Sequence, residues 1–432
     1  MKLSQIHIPT LKETPSDAKT ASHIFMLRSG LIRQIESGLY TIMPLGVRVL
    51  RKISDIIRAE FDKIGASEVI FPVIQNNEAW KRSGRSDGYC GQETLRMKDR
   101  HGNDMLFSPT AEESAQLIFE MDVKSYKQLP ITLYQINTKF RDEIRPRFGL
   151  MRCREFLMMD AYSFDVDEAS AIKTYDKFFK AYLAIFKKIG LTAIPMQANS
   201  GEIGGDLSHE FHVVAKTGES GIFYDKKLDE LSQNANFSYE DLKNVYAKTE
   251  DEHSADSCSL NSEDLVEARG IEVGHIFYYA DKYSKAMKIE IESSEGRKMN
   301  PIGGCYGIGV TRLMAAFIEA NHDEKGVIWS RAVAPFLVNL INLSPKNQEV
   351  TTACDALYDS LMKARIEVLY DDKDGSVGQK LNNADLIGLP FQIIIGQKSL
   401  ESSIFEVKNR LTGVVTKLDS GRFDLLLDLL NE

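Results

Sequence analysis

Five arginines and two glutamates (Arg141, Glu143, Arg145, Arg147, Arg152, Arg154 and Glu155) lie within fifteen positions of one another. Arginine offers a planar donor fork that matches phosphate oxygens in pairs, and it keeps its charge at any physiological pH. Such a cluster could hold a nucleoside triphosphate, with Phe148 or Phe156 stacking on the base and the Glu143 carboxylate accepting from an exocyclic amine. The alternative is a surface hairpin whose charges are simply solvated. The flanking residues favour the ligand. Upstream, Tyr134, Ile136, Thr138 and Phe140 alternate with Gln135, Asn137, Lys139 and Arg141; downstream, Phe156, Met158, Asp160, Tyr162 and Phe164 share a face. Period-two alternation on both sides of a loop with proline and glycine predicts an antiparallel hairpin. Arg141 and Glu143 would then point the same way from one strand.

Other elements must position this hairpin. Over residues 44–72, Val49, Ile53, Ile56, Ile57, Phe61 and Ile64 recur at helical spacing, Gly65 stops the helix, and a strand is expected over 68–74. Thr110 precedes a helical stretch reaching Met121, with Glu113 three residues on, the pattern of a capping box. Gly303, Gly304, Gly307 and Gly309 mark a strand-to-helix turn with Arg312 on the first helical turn. Such a turn can present amides to an anion or can be a tight packing point. His209 taken alone is an ordinary surface or satisfied histidine. Residues 225–272 are acidic and short of apolar periodicity, which predicts a mobile excursion from the main domain. Residues 332–432 read strand, helix, strand, Gly-rich turn, helix and strand. This order predicts a parallel pair with a right-handed crossover in a compact α/β domain.

Composition sets outer limits. A chain of 432 residues with 43% hydrophobic and 27% charged content suits a globular protein of two or three domains. The first residues have no signal-peptide core and no segment approaches a membrane span, so no membrane partner is expected. Cys90, Cys153, Cys258, Cys305 and Cys354 are odd in number and form no C-x-x-C pair. That pattern argues for a reducing compartment, the cytoplasm, and against a Cys-rich zinc site, so no metal ligands of the protein are named. A net charge of −9 means that any nucleic acid must be held by local patches against a repulsive background.

FRDEIRPRFGLMRCREFLMMDAYSF, residues 140–164, resembles motif 2 of the class II aminoacyl-tRNA synthetases, in the form carried by bacterial prolyl-tRNA synthetases. Met159 departs from the family, which usually has Lys there. Residues 44–72, ending in Pro72, are similar to motif 1, which implies a homodimer. GCYGIGVTR resembles motif 3, and residues 204–211 match the family's G-G-x-x-S-H-E-F element. The fold implied is α+β: a class II catalytic domain, an antiparallel sheet flanked by helices, over 1–224 and 273–331, then an α/β anticodon-binding domain over 332–432. Residues 225–272 stand where the long bacterial form has a hydrolytic editing domain. Their shortness implies the short form.

The resemblance implies two steps: ATP, with Mg²⁺, and L-proline give prolyl-adenylate, and the prolyl group then passes to tRNA(Pro). It assigns Arg141 to the α-phosphate and the proline carboxylate as the catalytic residue. Glu143 goes to the adenine, Arg152 to the outer phosphates, and Phe156 with Arg312 to the faces of the base. Thr110, Glu112, His209 and Cys305 go to proline. Lys380, Lys398 and Arg410 are candidates for tRNA, although that domain is acidic and Leu381 replaces the family's common Phe. Without an editing domain, alanyl-tRNA would need a separate deacylase, since a pocket discriminates only about 10–200-fold per missing methylene. Two rivals are a threonyl enzyme, for which no trio of one Cys and two His is found, and a catalytically silent paralogue.

Overall fold

The computed structural model describes residues 1–87 and 93–431, so Cys90 lies outside the described residues. The chain forms two compact units. One comprises Met1–Ile35, Tyr40–Lys52 and Phe317–Glu432, the other Glu36–Leu39 and Ile53–Ala316.

The second unit is built on a nine-stranded sheet. Its strands are β1 (Ser67–Glu68), β2 (Ile131–Phe140), β3 (Glu155–Asp165), β4 (Ala193–Gln197), β5 (Leu207–Val214), β6 (Ser220–Asp225), β7 (Ala247–Thr249), β8 (Leu265–Ala280) and β9 (Ile302–Gly309). They lie in the order β5-β4-β7-β6-β8-β9-β3-β2-β1, with β5 also pairing with β8. Only β4 with β7 and β1 with β2 run parallel. The strand expected over 68–74 shrinks to β1, and Ile74–Asn76 joins a separate three-stranded sheet.

β2 and β3 form the hairpin that the alternation predicts, with Ile131 opposite Phe164 and Phe140 opposite Glu155. The strand ends at Phe140, so Arg141 and Glu143 stand just beyond it. There the Glu143 N–H donates to the Arg141 carbonyl at 2.7 Å. Register then aligns residues distant in sequence. Glu210 of β5 is opposite His275 of β8, His275 opposite Gly307 of β9, and Gly307 opposite Asp160 of β3. Because alternate residues face opposite sides, this row and its neighbour Phe277–Cys305–Tyr162 lie on the sheet face that carries the cavities.

Five helices hold the site: α1 (Pro44–Lys63), α2 (Asn77–Ser83), α3 (Glu112–Asp122), α4 (Glu168–Ile189) and α5 (Val310–Ala320). α4 starts at Asp167, whose side chain accepts from the Ser170 N–H, and ends at Gly190 with φ 98°. It covers the opposite sheet face, stacking Phe178 on Tyr306 at 3.7 Å. Phe61 of α1 packs edge-on against Tyr134 and Phe178.

Residues 225–272 are not the mobile excursion that their composition predicts: Asp225 ends β6, 265–272 open β8, and between them lie residues 226–264. They hold two one-turn helices (Leu228–Leu231 and Tyr239–Leu242) and β7, which is built into the sheet, and no separate domain. Leu228, Phe237, Tyr239 and Leu242 are buried one at a time. Phe237 meets Phe179, and the Tyr239 N–H donates to Asp176. Anchors docked singly onto an existing surface leave no periodic signature.

In the first unit, Val338–Asn342 pairs in parallel with Val368–Asp371 and Phe391–Ile395, and Ile404–Asn409 and Val415–Asp419 continue the sheet antiparallel. Helix Gln348–Lys363 makes the crossover and buries Val350, Cys354 and Leu361 against Leu340 and Ile393. No helix among the described residues is long and apolar enough to cross a membrane.

Candidate active site

Two adjoining cavities open on the sheet. One, of about 470 Å³, is bordered by Glu143, Arg152, Phe156 and Arg312. The other, of about 480 Å³, is bordered by Thr110, Glu112, Tyr162 and Cys305. Glu93, Arg141, Met158, Glu272, His275 and Gly307 border both. The guanidinium of Arg141 lies over the Phe156 ring, 5.5 Å from its centre. Its only hydrogen bonds among the described residues are long ones to the Pro109 carbonyl, at 3.3 and 3.4 Å. Arg312, half-buried on the first turn of α5, is fixed by the Met151 carbonyl at 2.8 Å and by Glu272. Arg141 and Arg312, far apart in the chain, thus converge on one cavity.

Three other cations of the hairpin loop, Arg147, Arg152 and Arg154, are paired with acids. Arg152 Nε donates to Glu143 at 2.8 Å, and Arg147 Nε donates to Glu219 of the β5–β6 turn at 2.6 Å. Burial alone would raise Glu143, but Arg152 and the Arg145 N–H hold it below the ordinary carboxylate range. Glu219, which sequence reasoning missed, is marked only by its place beside the cavity.

On the second cavity, the capping-box reading of Thr110 and Glu113 is corrected. The N-cap of α3 is Ala111, with no side-chain cap. Thr110 Oγ1 instead donates to Glu112 at 2.6 Å, and Glu113 accepts from Ser83 at 2.7 Å. Arg85 bonds both acids. Burial raises Glu113 further beside the charge of Glu112, whereas Arg85 and Thr110 more than offset burial at Glu112 and hold it low. Cys305 borders this cavity, its thiol pushed well above the ordinary range by burial.

His209 is corrected too. It borders neither cavity. It is buried on the α4 side, its Nδ1 2.7 Å from Tyr175 Oη, and burial pushes its pKa down to about 3. It is opposite Ile276 in β8, one position out of phase with the Glu210–His275 row. The histidine of this site is His275, 2.5 Å from Ser208 Oγ and stacked on Phe277. The strand reading that predicted the hairpin, extended to β5 and β8, could have found it. Glu210, Glu272 and His275 bring ligand atoms within 4.8 Å of one another. Burial would raise Glu272, but His275 and Arg312 hold it far below the usual carboxylate range.

The glycines of β9 divide between the two readings. A Cβ at Gly303 would stand 2.3 Å from the Ser163 carbonyl oxygen, a packing requirement, while Gly307 and Gly309 border the first cavity.

Two of the three tRNA candidates are corrected. Lys380 is buried, with Nζ 2.9 Å from Asp371, and Arg410 is buried in a two-point pair with Asp323 at 2.7 Å. Their charges are committed to the fold. Lys398 is exposed on Gln397–Ser402.

Residues 95–321 match the family model "tRNA synthetase class II core domain (G, H, P, S and T)", and 338–423 match "Anticodon binding domain". A proline–tRNA ligase of Wolbachia sp. subsp. Drosophila simulans is 54% identical over 97% of both chains. The chain belongs to the proline–tRNA ligases. One from Rickettsia bellii is 50% identical over 97% of this chain and 96% of its own. A crystal structure of prolyl-tRNA synthetase from Cryptosporidium parvum, complexed with L-proline and AMP, shares the fold. Its TM-score is 0.73 at 17% identity, covering 95% of this chain and 77% of that one. As a proline–tRNA ligase, the protein attaches proline to tRNA(Pro). The threonyl alternative and the silent paralogue fall away with this membership.

Proposed function

We propose that the first cavity takes ATP, the second takes L-proline, and Arg141 joins them. The observation that carries this reading is that Arg141 borders both cavities with no carboxylate partner among the described residues. A proline carboxylate oxygen attacks the α-phosphorus, the bond to the β-phosphate oxygen breaks, and pyrophosphate leaves. Arg141 holds the attacking carboxylate against the α-phosphate and stabilises charge on the equatorial oxygens. Phe156 and Arg312 take the two faces of adenine and Glu143 its exocyclic amine. Arg152 exchanges Glu143 for the outer phosphates. Glu112 receives the proline ammonium, with Thr110 aiming Glu112 and Cys305 bordering the ring. A hydroxyl of the terminal adenosine of tRNA then attacks the prolyl carbonyl and AMP leaves.

Glu272 and Glu210 suit Mg²⁺, which favours oxygen ligands and binds through one or two carboxylates plus phosphates. When bound, the ion neutralises phosphate charge. The likeness of residues 44–72 to motif 1 makes a homodimer part of this reading. A pocket shaped for proline also admits alanine, so clearance of alanyl-tRNA by a separate deacylase is part of the reading. Lys398 remains the tRNA candidate of the C-terminal unit. The test is ATP–pyrophosphate exchange with R141A. Loss of proline-dependent exchange is expected; exchange at the native rate would overturn the assignment.

A further inference from the structure

Behind the second cavity, three charged side chains sit almost wholly out of water. Arg85 is 5% exposed, Glu112 2% and Glu113 0%. One guanidinium nitrogen of Arg85 serves both acids, at 3.0 Å to Glu112 Oε2 and 3.3 Å to Glu113 Oε1. Its Cζ lies 4.9 Å from the Trp80 ring centre and 5.3 Å from that of Tyr283. Aromatic faces on this scale fix a guanidinium plane and keep water away. Arg85 borders neither cavity, whereas Glu112 borders the second. The Glu112 oxygen that Arg85 holds is the one that also accepts from Thr110.

Two adjacent buried carboxylates repel, and neither would stay ionised without a cation between them. Arg85 and Thr110 hold Glu112 low while burial raises Glu113, so the shared guanidinium keeps Glu112 the charged member of the pair. The ring ammonium of proline is the cation of the established substrate that a charged Glu112 would receive. We propose that Arg85 is a positioning residue for amino-acid selection, turning Glu112 so that one carboxylate oxygen is tied back and the other meets the ammonium. This rests on the reading that Glu112 receives that ammonium. Arg85 therefore governs the KM for proline and leaves the KM for ATP alone.

The groups packed on Glu112 sharpen the test. They are Arg85 from the segment after α2, Glu113 on α3 itself, Tyr162 on β3, Tyr279 on β8, Tyr283 in the helix Lys282–Ala286, and Cys305 on β9. Burial pushes the three tyrosines and the cysteine well above their ordinary values, so none of them titrates near neutrality. In R85Q, the desolvation that Arg85 now offsets would raise Glu112.

The experiment is proline-dependent ATP–pyrophosphate exchange on the full chain for wild type, R85Q, R85K and E112Q. R85Q should raise the KM for proline on the order of 10- to 100-fold with the KM for ATP unchanged. R85K, which keeps the charge but loses the fork, should fall between R85Q and wild type. From about pH 8.5 to about pH 6, the KM for proline should climb in R85Q relative to wild type. A role confined to folding would not give that slope. Should R85Q fail to fold, R85K carries the same comparison. An unchanged KM for proline in R85Q or R85K, or an equal rise in both KM values, overturns the proposal. If E112Q raises the KM for proline while the Arg85 variants do not, only Arg85 is misassigned. An unchanged E112Q overturns the reading of the pocket beneath it.

Discussion

Between the two cavities the Arg141 guanidinium lies over Phe156 and, among the described residues, hydrogen-bonds only the Pro109 carbonyl, at lengths near the limit. In the C-terminal unit, Lys380 is buried against Asp371 and Arg410 grips both oxygens of Asp323. The sequence offers all three as cations for a ligand. Packing separates them: a cation held by a carboxylate at 2.7–2.9 Å is already neutralised, while one left on a cavity wall keeps its field for a ligand. Arg147 and Arg152 are intermediate, paired with Glu219 and Glu143 but half-open to solvent.

The contrast can be broken most strongly at Lys380. K380M leaves Asp371 buried and uncompensated, so folding stability should drop by about 3–5 kcal/mol in chemical denaturation. The KM for tRNA of the folded protein should stay at the wild-type value. R141A should do the reverse: kcat/KM in pyrophosphate exchange falls on the order of 10²–10³-fold. Its unfolding midpoint moves little.

Acid should act on the C-terminal pair before it acts on Arg141. Arg410 holds the Asp323 carboxyl far below its ordinary range, with further help from the Lys325 and Gly326 N–H groups. A depressed carboxylate contributes stability that is full above its unfolded pKa of about 3.9 and is lost as pH falls towards the folded value. Wild type should therefore lose more stability than R410A between about pH 5 and about pH 2 when both are titrated. Asp323 is partly open to solvent, which keeps this effect modest. The smallest effect belongs to Lys398. K398A should raise the KM for tRNA about two- to fivefold, more at low salt, with no change in stability.

The catalytic hairpin was legible because two independent signals coincide there, period-two alternation and a run of arginines around one turn. The same alternation, applied to residues 207–214, predicts that His209 and Glu210 face opposite ways. It cannot say which side holds the site until β8 and β9 are set beside β5, and that register is long-range. Thr110 and Glu113 fit a capping box in sequence because spacing alone cannot show that Ser83 and Arg85 compete for the same carboxylates. Residues 226–264 misled through composition. Their acidic side chains do face water, yet Leu228, Phe237, Tyr239, Leu242 and Ala247 are buried and dock the segment. In each case local pattern was sound, and the deciding partner lay far along the chain.

A crystal structure with a non-hydrolysable prolyl-adenylate analogue would show whether Arg141 spans both cavities when they are filled. The Arg141 guanidinium should lie within about 3.2 Å of both the carbonyl oxygen of the prolyl group and an oxygen of the phosphate mimic. An analogue bound with Arg141 still turned to the Pro109 carbonyl, touching neither group, would contradict that placement.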